Sequence, residues 1–155
     1  METTAETSTS REEVLQFVTF TLNNEEYAVD ILSVQEINRI TEITKVPNSP
    51  AYVEGVVNLR GKVIPVINLR KKFGFEEKAI DDTSRIIIMD IQGITYGVIV
   101  DSVSEVLRVQ SSTVQPAPPM SSNANSNLIR GLAKLDDRLI ILIDINSLID
   151  ASLQI

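Results

Sequence analysis

A chain of 155 residues is one domain's worth of protein, long enough for folding to bury about 70% of the extended chain's surface. It contains neither cysteine nor histidine, so disulfides, thiolate metal sites, the commonest general base and the commonest transition-metal ligand are all missing, which disfavours enzymatic chemistry without excluding it; no metal, cofactor or catalytic residue is assigned. A net charge of −7 and only 5% aromatic residues oppose nucleic-acid phosphates, anionic lipid and base stacking alike.

Residues 1–13 are polar, with no apolar core, and are expected to form a disordered tail that is neither a signal peptide nor a membrane span. Ser10 to Glu13 matches a capping box, but the β-rich run after it favours at most a single turn. The ordered domain is placed at 14–155, in a cytoplasmic protein. LQFVTFTL from Leu15 and EEYAVDI from Glu25 predict a first hairpin about Asn23-Asn24. After Pro47-Asn48-Ser49-Pro50, Ala51 to Gly55 is expected to form one helical turn. GVVNLRGKVIPVINL from Gly55 then predicts a central hairpin turning at Arg60-Gly61. Leu69 to Gly74 predicts a short helix closed by glycine, followed by a charged connector, EEKAIDDTS.

The pattern then begins again. RIIIMDI, the turn Gln92-Gly93 and ITYGVIVDSVSEVLRV align with the first hairpin at an offset of 69 residues, laying Tyr96 on Tyr27, Ser102 on Ser33, Glu105 on Glu36 and Pro116 on Pro47. GLAKLDDRLIILIDI repeats the central hairpin at an offset of 76, with Leu135 on Leu59 and Ile143 on Ile67. The seven extra residues fall in Pro119 to Asn127, which has loop composition. Alternation would align any two all-β segments, yet it does not force shared Tyr, Ser, Glu and Pro. An internal duplication follows, with copies at about 15–78 and 84–150 and about five short strands in each, the spacing of small all-β barrels.

Two ligand-binding motifs fail. Gly55 to Lys62 has five residues between its glycines where a phosphate loop has four, and Val63 stands where Ser or Thr belongs. Asn123, Asn125 and Asn127 resemble the start of a calcium loop, but Lys134 sits where its bidentate Glu is needed. The acidic pairs Glu25-Glu26, Asp81-Asp82 and Asp136-Asp137 read as solvated turn charges. Arg60 differs, because its counterpart in the second copy is Asp136: the turn is kept and the chemistry changed. Its planar fork suits a fixed carboxylate, for which Glu36 is the candidate, while a plain soluble turn residue is the competing reading.

YAVDILSVQEI, Asn48-Ser49-Pro50-Ala51 and NLRGKVIPVINL together make the chain resemble the CheW family of bacterial chemotaxis adaptors, from about Gln16 to Leu148. Asn68 departs from the aspartate frequent there. The resemblance implies an all-β fold of two five-stranded Src-homology-3-like, or OB-like, barrels with exchanged segments and one or two short helices. It also implies a non-catalytic adaptor, recruited from the cytoplasm to membrane receptor arrays without inserting in the bilayer. The implied partners are chemoreceptor tips, in an apolar groove between the barrels, and the regulatory domain of a histidine kinase.

We expect receptor contacts from Ile31, Glu36, Arg60, Val98, Val103 and Val106, and kinase contacts from Val34, Gly55 and Asn58. The valines, with Val100, are more numerous than a small barrel points inward, so they should include a partner-facing stripe as well as core. The alternative is a small-molecule-binding or hydrolytic double barrel using Glu36 or the acidic turns, marked by a deep polar pocket and a perturbed carboxylate.

Overall fold

The computed structural model describes residues 13–116 and 128–148. The expected tail and the loop Pro119 to Asn127 lie outside the described residues, apart from Glu13. The order is β1 (Val14–Leu22), β2 (Glu25–Asp30), a 3-10 turn (Ile31–Ser33), β3 (Val34–Arg39), β4 (Val53–Leu59), β5 (Lys62–Asn68) and α1 (Leu69–Phe73). It continues as β6 (Arg85–Ile91), β7 (Ile94–Val100), β8 (Ser102–Gln110), β9 (Val114–Gln115), β10 (Ile129–Leu135), β11 (Arg138–Ile143) and a 3-10 turn at Ile145–Leu148.

The protein is all-β, in two sheets. One runs β8-β1-β2-β11-β10-β9, the other β3-β6-β7-β5-β4. Each hairpin bends through left-handed backbone, at Asn23-Asn24, Arg60-Gly61, Gln92-Gly93 and Asp136, the geometry that matches the right-handed twist of paired strands. The expected helix is α1. Asn68 caps it, and Gly74, at φ 80°, closes it. Ala51 to Gly55 is not helical: Ala51 and Tyr52 form a turn, and β4 begins at Val53. Helix there would have cost the Val53-to-Ile67 end of the β4–β5 ladder.

The two halves of the chain are interlocked. The β1–β2 hairpin pairs with β8 and β11, while β6 and β7 pair with β3 and β5. Neither sheet is therefore built from one half. After β3 the chain returns to β4 through a single bridge, Thr44 to Val56, and after β8 it returns to β10 as the two-residue β9.

Three apolar clusters follow from this arrangement. Phe17, Ala28, Ile140 and Leu142 belong to a cluster inside the first sheet. Val57, Ile64, Ile86 and Ile88 belong to one inside the second. The largest lies between the sheets and draws on both, with Phe20, Tyr27, Ile67, Ile87, Met89 and Tyr96 among its members. Strand β6 supplies two of the three, Ile86 and Ile88 on one face, Ile87 and Met89 on the other, which is why RIIIMDI carries no polar alternation.

The repeated glycines have one cause. At each, the ladder with the next strand slips by a residue, at Val53/Gly55 and at Ile129/Gly131, and the neighbouring backbone closes in. A Cβ on Gly55 would lie 2.2 Å from the Thr44 carbonyl oxygen, and one on Gly131 2.6 Å from that of Gln115. Gly55 also sits at φ 150°, backbone that side chains rarely adopt.

Candidate partner-binding surface

Glu36 projects from β3, and the β4–β5 turn swings Arg60 over it, joining Arg60 Nη2 to Glu36 Oε2. Asn38 Nδ2 donates to the other oxygen at 3.0 Å. These two donors, Asn38 first and Arg60 second, hold the Glu36 carboxyl below its ordinary value. The Arg60 side chain is 70% exposed, so the pair lies on the surface. Asn58 helps set the turn, its Oδ1 accepting the Gly61 N–H at 3.0 Å.

The proposed contact residues do not form one continuous surface. Val98 is only 2% exposed and Val100 1%; both face the central cluster from β7, which is covered on both sides, so Val98 offers nothing to a partner and its assignment to the receptor face is withdrawn. Ile31, Val34 and Val103 are partly buried against the same cluster. Val106, on the edge strand β8, is 51% exposed. Gly55 is buried and faces Thr44, so its assigned kinase contact is replaced by the close backbone approach described above.

One residue stands out that the sequence did not mark. Leu32, at 90% exposure, is thrown outward by the 3-10 turn, whose start Asp30 caps by accepting the Leu32 N–H at 2.9 Å. A shallow cleft of about 130 Å³ runs beside it, lined by Val14, Leu15, Gln16, Asp30 and Ile31. The Asp-Ile-Leu-Ser run contained the signal, an acceptor two residues before a break in alternation.

A larger open cleft of about 460 Å³ is lined by Asp30, Ser33, Asp90, Gln92, Arg130 and residues 143–146. Among the described residues, every carboxylate whose pKa moves, moves down. Glu26 and Glu36 are held there by hydrogen-bond donors. For Glu54 and Asp101 burial pushes up, but arginine, lysine, amide and backbone donors outweigh it. No group of three or more acidic side chains is arranged to hold a metal among the described residues. Nor is any helix among them long and apolar enough to cross a membrane.

Glu26 is more than a solvated turn charge. Arg138 grips it with two bonds of 3.0 and 2.7 Å and reaches Glu105, the Glu36 counterpart, at 2.8 Å. Asn68, where aspartate was anticipated, donates through Nδ2 to Glu54 at 3.0 Å while its Oδ1 caps α1. An aspartate would have set a second carboxylate against Glu54.

Interlocked sheets and repeated hairpins make this a duplicated two-sheet β-module that carries an exposed ion pair and an exposed apolar side chain on an edge strand. The chain belongs to the CheW family, whose CheW-like domain matches residues 16–153. It is 38% identical over 136 residues to Chemotaxis protein CheW of Klebsiella aerogenes, covering 88% of this chain and 82% of that one. It is 40% identical over 138 residues to Chemotaxis protein CheW of Helicobacter pylori, covering 89% and 83%. The crystal structure of scaffolding protein TtCheW from Thermoanaerobacter tengcongensis superposes with a TM-score of 0.83 at 40% identity, over 90% of this chain and 94% of that one.

Proposed function

We propose that this chain is a non-catalytic cytoplasmic adaptor of chemotaxis, coupling the signalling tips of chemoreceptors to a histidine kinase through protein–protein contacts. Family membership supports the setting, and one observation carries the role of the site. Arg60 occupies left-handed backbone at φ 50°, a conformation costly for a long side chain. Its counterpart Asp136 shares that conformation at φ 53° with a residue type that visits it more readily. The turn does not require arginine there, which supports a role for it in recognition. Glu36 and Arg60 form a charged mark that a receptor helix reads, with Ile31, Val103 and Val106 as further receptor contacts. The kinase is taken by Val34 and by residues about the central hairpin, including Asn58.

The downward pKa shifts argue against the hydrolytic alternative, since a general acid requires a carboxyl pushed up. The test pairs a calorimetric melt with titration of a receptor-tip hairpin and, separately, a kinase regulatory domain. Arg60→Ala and Glu36→Ala should melt within a few degrees of wild type and lose about tenfold or more in receptor affinity, the cost of leaving a desolvated charge unpaired. Kinase binding should survive. Unchanged receptor affinity would remove the pair from recognition.

A further inference from the structure

The interlocking bears on how the chain meets a second copy of itself. Four ladders join the halves: β1 with β8, β2 with β11, β3 with β6, and β5 with β7. The central cluster is shared too, with seven buried side chains from before α1 ends and nine from after β6 begins. Thr19, fully buried, exchanges two bonds with the Glu105 backbone. Arg70 meets Asp101 through two bonds of 2.9 Å, and Arg138 holds Glu26. Either half alone would expose all of these surfaces and strand edges.

The covalent connection is slight by comparison. Chain passes between the halves once, through residues 74–84, of which 76–83 are exposed. Fully extended, such a connector reaches about 35 to 40 Å.

We propose that two copies exchange halves, giving a dimer in which each two-sheet module combines the first half of one chain with the second half of the other. Every ladder, cluster and ion pair named above is remade in the exchanged form. It differs from two monomers in the path of the connector and in the entropy of association, so concentration sets its share. Exchange requires the halves to separate, so the dimer forms while chains fold and persists on dilution. The product is a bivalent adaptor, two partner-binding modules tied by two connectors, which binds clustered partners with a gain no single contact supplies. This does not depend on which partners the surface serves.

The absence of cysteine makes the test clean. Gln16 and Arg108 are register partners across β1 and β8, both exposed, and opposed strand residues are near enough for a disulfide. One chain carries Gln16→Cys, a second of different tagged mass carries Arg108→Cys. Unfolded together, refolded at high concentration and then oxidised, they should give a 16–108 linked heterodimer, identified by peptide mapping, that rises with concentration and is absent when the folded chains are merely mixed. Gln16→Cys with Arg108→Cys in one chain provides the control. Should that control close its internal disulfide while the co-refolded pair yields no 16–108 link, the exchange is refuted. Were the control not to close, Arg39→Cys and Arg85→Cys, partners across β3 and β6, replace the pair. Light scattering of wild type refolded at high concentration decides independently: a doubled mass that survives dilution supports exchange, and a single mass at every concentration overturns it.

Discussion

The two halves of the chain place a glutamate at equivalent positions, Glu36 on β3 and Glu105 on β8, and each meets an arginine from the hairpin of its own half. There the likeness ends. Arg60 stands at the turn, 70% exposed, and holds one carboxylate of its own half. Arg138 stands two residues past the matching turn position and clamps Glu105 together with Glu26, a residue of the other half. Arg138 ties β11 to its own neighbour β2 and to β8 beyond it, whereas Arg60 reaches from the β4–β5 turn to β3, at the opposite edge of the second sheet, with most of its side chain in solvent. In a duplicated module the two copies of one charged motif can differ in how far solvent screens them, and so in what each contributes to the fold.

That contrast can be broken at several points. The largest effect is expected at the glycines. Gly55→Ala should destabilise by about 3 kcal/mol or more in urea unfolding, because its φ of 150° and the Thr44 oxygen both exclude a Cβ. Gly131→Ala should cost less, having more space and no positive φ; equal losses would show that backbone conformation is not the difference.

Arg70→Ala comes next, at about 2 to 3 kcal/mol. Arg70 and Asp101 are only 13% and 14% exposed, and truncation strands a carboxylate that otherwise accepts two guanidinium bonds and the Asn23 N–H.

Arg138→Ala should cost about 1 kcal/mol, being more exposed and more strongly screened. It carries a pH signature. The Glu26 pKa is lowered chiefly by the Arg138 hydrogen bond. The stabilisation is therefore complete above the unfolded value of 4.5 and is lost as pH falls below 4.5 through the folded value. Wild type should lose more stability than Arg138→Ala between neutral pH and pH 3. Parallel curves would mean that the clamp contributes nothing.

The smallest change is at the other tip. Arg60→Gly should melt at or above the wild-type temperature, since glycine accepts φ 50° without cost. A clear fall would place Arg60 among the structural residues.

Much of this was readable in the sequence. Paired β-branched runs about Asn23-Asn24, Arg60-Gly61 and Gln92-Gly93 gave the hairpins, and their recurrence gave the duplication, because alternation and turn chemistry are local. The Arg60–Glu36 pair was legible by comparing one copy with the other. What could not be read was which strand pairs with which. Nothing in the side chains of β1 or β2 distinguishes β8 and β11 from their first-half counterparts, so exchanged segments were implied by the family resemblance alone and the strands involved were not identified. Val98 was misplaced on the same account: β7 turns it, with Tyr96 and Val100, into the cluster between the sheets. Leu32 escaped because a single capped turn, not a period, turns it outward.

The pairing of β1 and β2 with β8 and β11 also governs the birth of the molecule. The first hairpin is synthesised more than a hundred residues before β11, its neighbour in the sheet, is complete. At ribosomal rates of about 5 to 20 residues per second, that wait lasts roughly 6 to 20 seconds. The second sheet has all of its strands by Val100, whereas the first must wait for β10 and β11. Contacts so distant along the chain are the slow kind, so the first sheet is the part of the fold left open to mispairing for longest.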